Sequence, residues 1–149
     1  MTPSHAARPG ALSAEAMRRH MAPFPGYGAS STAPAKRFAT EVQALWGGVL
    51  TPMMASGDTA GRFAGAALSC PPTACTGALE LAAGACTQPY RNPCAIENLV
   101  CVEGRVEVSF GPALADSIVL EAKDMLSVPE GMRHRVRNAG DSLARLVVV

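Results

Sequence analysis

The sequence predicts an all-β fold, a sandwich or barrel of short strands, and three observations carry that prediction. Short apolar runs follow one another at 77–81, 96–102, 106–110, 118–120, 125–128, 134–137 and 143–149. The gaps between them hold turn residues, among them Gly84, Pro89, Pro93, Gly104, Gly111, Pro129 and Gly131, and strands at this spacing read as all-β, not as alternating strand and helix. In the clearest runs polar and apolar residues alternate with the period of two that sends successive strand side chains to opposite faces.

A chain of 149 residues with a formal charge of +1 is one domain's worth, with a single modest core. It has no field to attract nucleic acid or an acidic partner. Aromatics make up 5% of the residues, too few for base-stacking platforms. No apolar run reaches the roughly eighteen residues of a membrane span. The N-terminus lacks the basic stretch and apolar block of a secretory signal, so the cytoplasm is the expected location. The five cysteines, at 70, 75, 86, 94 and 101, are odd in number and repeat no pair spacing. Reduced, partly buried thiols are expected in that compartment. Cys70 and Cys75 stand alone as a zinc half-site, and a bridge between them is open on oxidation.

Residues 1–35 are rich in Ala, Pro, Gly and Ser and read as a flexible N-terminal arm. A short helix is expected within it over Ala11–His20, capped by Ser13. Residues 36–149 read as the folded domain. Phe38–Trp46 alternates but also fits a helix, which Gly47 and Gly48 end; Val49 and Leu50 then read as a short strand before Pro52. The stretch 61–68 is ambiguous.

The stretch 125–138 poses the functional question. Pro129 and Gly131 force a turn after Val128. In the strand that follows, Met132, His134, Val136 and Asn138 share one face, and Arg133, Arg135 and Arg137 take the other, read as solvated. A lone imidazole between Met132 and Val136 needs partners for its ring nitrogens. The strand beginning at Glu97 supplies one, for Glu97, Leu99 and Cys101 share a face and a carboxylate there is a second anomaly. Such a pair satisfies itself or holds a metal. Tyr90 and Asn92, two residues apart, share a face just upstream.

These residues resemble the cupin superfamily. Its first motif is Gly, five residues, His-x-His, three or four residues, Glu, six residues, Gly; this chain has Gly84, Tyr90-Arg91-Asn92, Glu97 and Gly104 at those spacings. Its second motif is Gly, five residues, Pro-x-Gly, two residues, His, three residues, Asn; here stand Lys123, Pro129-Glu130-Gly131, His134 and Asn138. The resemblance covers 77–149 and implies a double-sheet jelly roll. Lys123 replaces a turn glycine, and Asp124 after it is expected to take the turn.

In the family, both histidines of the first motif, its glutamate and the histidine of the second bind a divalent metal. Here Tyr90 and Asn92 replace the two histidines. Glu97 and His134 alone are too few for firm binding of iron, manganese, nickel or zinc, which want three protein ligands. Tyr90 as phenolate and Asn92 through its carbonyl are weak substitutes, and Cys101 is a further thiolate candidate. The expectation is therefore no cofactor, and an acid–base pocket in which His134, Glu97 and Tyr90 move a proton beside a carbonyl. The carboxylate favours the charged imidazole and burial opposes it, so the two should titrate as a unit.

The resemblance gives precedent in cupin-like epimerases and polyketide cyclases, so isomerase, epimerase, cyclase or dehydratase chemistry is expected. Asn92, Leu99, Cys101, Met132 and Val136 would contact the small-molecule substrate, within an interior that Leu81 and Val106 also line. A ring-bearing substrate suits that interior better than a highly charged one. A metal-dependent dioxygenase or lyase using Tyr90, Asn92, Glu97 and His134, and a non-catalytic ligand-binding cupin, stay open as alternatives. The small jelly roll leaves sheet edges to cover, so a homodimer is expected.

Overall fold

Period-two alternation in the sequence becomes two sheets packed face to face. The computed structural model describes residues 15, 18, 46–56, 59, 63–69 and 74–149. Among these, nine strands follow in order: β1 Val49–Ala55, β2 Leu68–Ser69, β3 Thr76–Leu81, β4 Glu97–Glu103, β5 Arg105–Phe110, β6 Asp116–Glu121, β7 Met125–Val128, β8 His134–Asn138 and β9 Ala144–Val148. One sheet has the order β2-β1-β3-β9-β4-β7 and the other β6-β5-β8. The pairings are antiparallel apart from the short β1–β2 contact.

The seven runs read from 77 onward correspond to β3 through β9 to within a few residues. The N-terminal reading needs correction at Pro52. β1 does not stop before this proline but runs through it to Ala55. Its register with β3 shifts between Pro52 and Met54, and β2 joins β1 only beyond that point, at Met54 and Ala55. A proline without an N–H is tolerated in a sheet at such an irregular, one-sided position. Of the arm at 1–35 and its expected helix, only Glu15 and Arg18 are described, both helical; the rest, together with 36–45 and Cys70, lies outside the described residues. No helix among the described residues is long and apolar enough to cross a membrane.

The core lies between the sheets. Leu50, Leu79, Leu146 and Cys101 form a row across four strands of the larger sheet, facing Val106, Val108, Val136 and Leu120 of the smaller one. Each of these is at most 3% exposed. Burying side chains of this size stabilises by roughly 1.5–3 kcal/mol each before chain entropy is subtracted. On the other face of the larger sheet Arg145 bridges Glu80 and Glu103, with Nε 2.9 Å from Glu80 Oε1.

The turn before β7 departs from expectation. Lys123 itself takes the left-handed backbone, at φ 82°. Its N–H donates to the Cys101 carbonyl at 2.7 Å, which holds it there. Asp124 instead accepts from the Glu121 N–H at 2.9 Å through its side chain.

Candidate functional site

The site is assembled where the segment 85–92 lies along β8. Thr87 N donates to the Val136 carbonyl and Thr87 Oγ1 accepts from Val136 N. Tyr90 and His134 exchange both backbone bonds, each 2.9 Å. Further on, Gly131 N donates to the Asn92 carbonyl at 2.7 Å. The turn Pro129–Met132 closes through Met132 N to Pro129 O, with Gly131 at φ 74°, a backbone that glycine adopts without cost. Tyr90 is thereby locked beside His134, their ring centroids 4.2 Å apart, and Trp46 packs behind it at 5.1 Å.

β4 and β8 alternate as read. Glu97, Leu99 and Cys101 point inward on β4, and His134, Val136 and Asn138 on β8. Glu97 and His134 meet in the interior, 1% and 0% exposed, with His134 Nε2 3.2 Å from Glu97 Oε1. Tyr90 Oη donates to the same Oε1, and Asn92 Nδ2 donates to Oε2 at 2.6 Å. His134 Nδ1 lies 3.0 Å from the Met132 carbonyl.

A proton inventory follows from these partners. A carbonyl only accepts, so Nδ1 carries a proton. Two lone pairs do not face each other at hydrogen-bond distance, so one further proton lies between Nε2 and Oε1. On either atom it leaves the pair neutral overall, which is how two ionisable groups are accommodated without an unpaired buried charge.

The four residues at the family's metal positions thus partner one another. Two of them, a phenol hydroxyl and an amide N–H, present protons to Glu97 where a metal centre needs lone pairs. This donor chemistry suits a closed hydrogen-bonded cluster, not a divalent ion. Among the described residues no three His, Cys, Asp or Glu side chains cluster as a metal site. Cys101 lies four residues along β4 from Glu97, about 13 Å at strand rise. Its thiol is directed at the carbonyls of Glu103 and Gly104. Burial pushes that thiol's pKa up, with Asp124 and Glu121 adding to it, so it is a poor thiolate ligand.

A groove of about 740 Å³ opens beside this cluster, between Pro89, Tyr90 and Met132 and the charged Arg91, Glu130 and Arg133. Tyr90 belongs to both: it is among the groove's lining residues, though only 9% exposed, and its hydroxyl reaches the buried carboxylate. Of the expected substrate contacts, Met132 lines the groove. Leu99, Cys101 and Val136 do not; each is 0% exposed in the packed core, as are Leu81 and Val106. The expectation of an apolar chamber among these five gives way to interdigitated side chains. Asn92 is half-buried at the edge, engaged with Glu97.

Several residues were not singled out as site residues by sequence reasoning. Thr87 and the Met132 carbonyl position Tyr90 and His134. Asn138, read as a member of the inward strand face and of the second motif, is 1% exposed and donates to the Leu81 and Ser142 carbonyls. Arg133, read as part of a solvated strand face, precedes β8 and lines the groove. Thr87, Met132 and Arg133 lie outside the strands, where no alternation pattern signals such roles, whereas Asn138 ends β8 on its inward face.

The family model for the cupin domain matches residues 77–149. The chain belongs to the cupin superfamily. Among solved structures, this cupin is similar to the Schizosaccharomyces pombe Cnp3 cupin domain, at 23% identity over 50% of this chain and 52% of that one, with TM-score 0.46. It is similar to the Drosophila melanogaster CENP-C cupin domain at 18% identity over 54% and 63%, TM-score 0.49. It is also similar to oxalate oxidase in complex with glycolate, at 25% identity over 50% and 39%, TM-score 0.46. The cupin spans less than two thirds of each of these chains. No curated protein matches it.

Proposed function

We propose that this cupin is a small-molecule enzyme that moves a proton on its substrate, of the isomerase, epimerase, cyclase or dehydratase type. His134, Glu97 and Tyr90 act together in it, without a metal. One observation carries this reading: Tyr90, among the residues lining an open groove, donates its hydroxyl to the buried Glu97 that also meets His134. In such a step Tyr90 gives its hydroxyl proton to the substrate oxygen, and the Glu97–His134 pair replaces it with the shared proton. The proton removed from the neighbouring carbon then returns to the pair, so the site ends as it began.

The test is deuterium wash-in. Small carbonyl compounds are incubated with the protein in D2O, and exchange beside the carbonyl is followed by proton NMR. Exchange faster than in buffer, lost in Glu97→Gln and His134→Ala with the fold intact, is the expected result. Absence of exchange with every compound overturns the catalytic reading.

A second reading, a ligand-binding cupin without chemistry, is favoured by the burial of His134 and Glu97 behind Tyr90. Binding in the groove with no exchange would select it. We also propose a homodimer. Met125 on β7 and Ile118 on β6 are 62% and 43% exposed, an apolar surface on the end strands of the two sheets that a second copy would cover. A monomer in light scattering would refute it.

A further inference from the structure

Arg91 and Arg133 are both groove residues. They adjoin the isolated Tyr90–His134 bridge, Arg91 following Tyr90 and Arg133 preceding His134. Like charges held in one groove are destabilising without a counter-charge, and three other arginines of this chain have one. Arg105 pairs with Glu121, Arg137 with Glu107, and Arg145 with Glu80 and Glu103. Among the described residues neither Arg91 nor Arg133 has a carboxylate partner. Arg133 Nη1 donates to the Pro112 carbonyl at 2.8 Å, which fixes one corner of the guanidinium and leaves its other N–H donors for a ligand. Glu130, also on the groove, leaves the rim with a net positive charge.

We infer that the groove binds an anionic small molecule, a carboxylate with an apolar body. Arg91 and Arg133 hold the carboxylate, and Pro89, Tyr90 and Met132 contact the body. A guanidinium presents parallel N–H donors that match two carboxylate oxygens, which a single uncharged amide does not replace. Anchoring the anion between 91 and 133 sets the rest of the ligand beside Tyr90, whose hydroxyl reaches Glu97 of the acid–base cluster. This deepens the proposed function and rests on its choice of the groove as the binding site. It also revises the sequence-based preference for a weakly charged substrate, since the arginine placement is a property of the folded loops.

The experiment is calorimetric titration of the full chain with benzoate, phenylacetate and octanoate and with their matched primary amides, at low and moderate salt. At least one acid is expected to bind about tenfold or more tightly than its amide, with affinity falling as salt rises. Arg91→Gln and Arg133→Gln are each expected to weaken it by about tenfold, with the melting temperature unchanged. Equal binding of acids and amides, no binding of any acid, or unchanged affinity in the double variant overturns the inference. Deuterium wash-in separates the two levels. Carboxylate binding without exchange leaves this inference standing and removes the catalytic one. Exchange on uncharged compounds with no acid preference does the reverse.

Discussion

His134 Nε2 stands 3.2 Å from Glu97 Oε1, the two residues 37 apart in sequence and both closed off from solvent. The pair is neutral as a unit, so its members depend on each other. Removing one partner of a buried pair leaves the other unsatisfied, at a cost of about 3–5 kcal/mol. Glu97→Gln and His134→Gln should each destabilise strongly. The double variant should lose at least about 1 kcal/mol less than the sum of the two. Chemical denaturation of all four proteins measures this, and additive losses would show that the two side chains are not coupled.

Tyr90 contributes to stability through its hydroxyl as well as its packed ring. Tyr90→Phe keeps the ring between Trp46 and His134 and removes the hydroxyl that donates to Glu97. Hydrogen bonds to charged or proton-sharing groups contribute about 1.5–3 kcal/mol, and a loss in that range is expected by urea denaturation. A neutral result would mean that the hydroxyl bond is not formed in solution.

The metal content should be low. Protein purified without an affinity tag is expected to carry far less than one iron, manganese, nickel or zinc per chain, and chelator should leave its melting temperature unchanged. Near-stoichiometric metal that disappears in His134→Ala would establish that Tyr90, Asn92, Glu97 and His134 do bind an ion, and would replace the proton-transfer reading with metal chemistry.

Lys123 occupies a left-handed backbone that side chains reach at a cost of roughly 1–2 kcal/mol, against a smaller entropy cost for glycine. Lys123→Gly should raise stability by about 0.5–1 kcal/mol. Thermal unfolding of the variant checks it. A lower melting temperature would indicate that the lysine makes a compensating contact.

Glu107 carries the clearest pH signature. Hydrogen bonds from Arg137, then from Ser117, hold its carboxyl below the usual glutamate range. A carboxyl so lowered favours the folded state above the ordinary glutamate range, and that contribution disappears as pH falls through the folded value. Glu107→Gln should therefore be less stable than the parent at pH 7 and equal to it near about pH 2.5. The difference should also shrink in high salt, since the pair is exposed. A gap that persists in acid would show that packing, not charge, distinguishes the two.

Much of the architecture was legible because strand alternation is a local property. Period two alone turns Glu97 and His134 inward, and the turn residues bound seven of the nine strands described. The sequence by itself therefore determined the all-β class, the strand sites from 77 onward and the two buried ionisable residues. What only the tertiary structure decided concerns groups held by loops and by pairing between distant segments. That Tyr90 and Asn92 both direct donors at Glu97 follows from the 85–92 segment lying along β8. That Lys123, and not Asp124, turns the chain follows from its bond to Cys101. That Arg91 and Arg133 share a groove while Leu99, Cys101 and Val136 fill the core follows from which face each sheet buries. Alternation orients a side chain relative to its own strand. It does not say which other segment will be there to meet it.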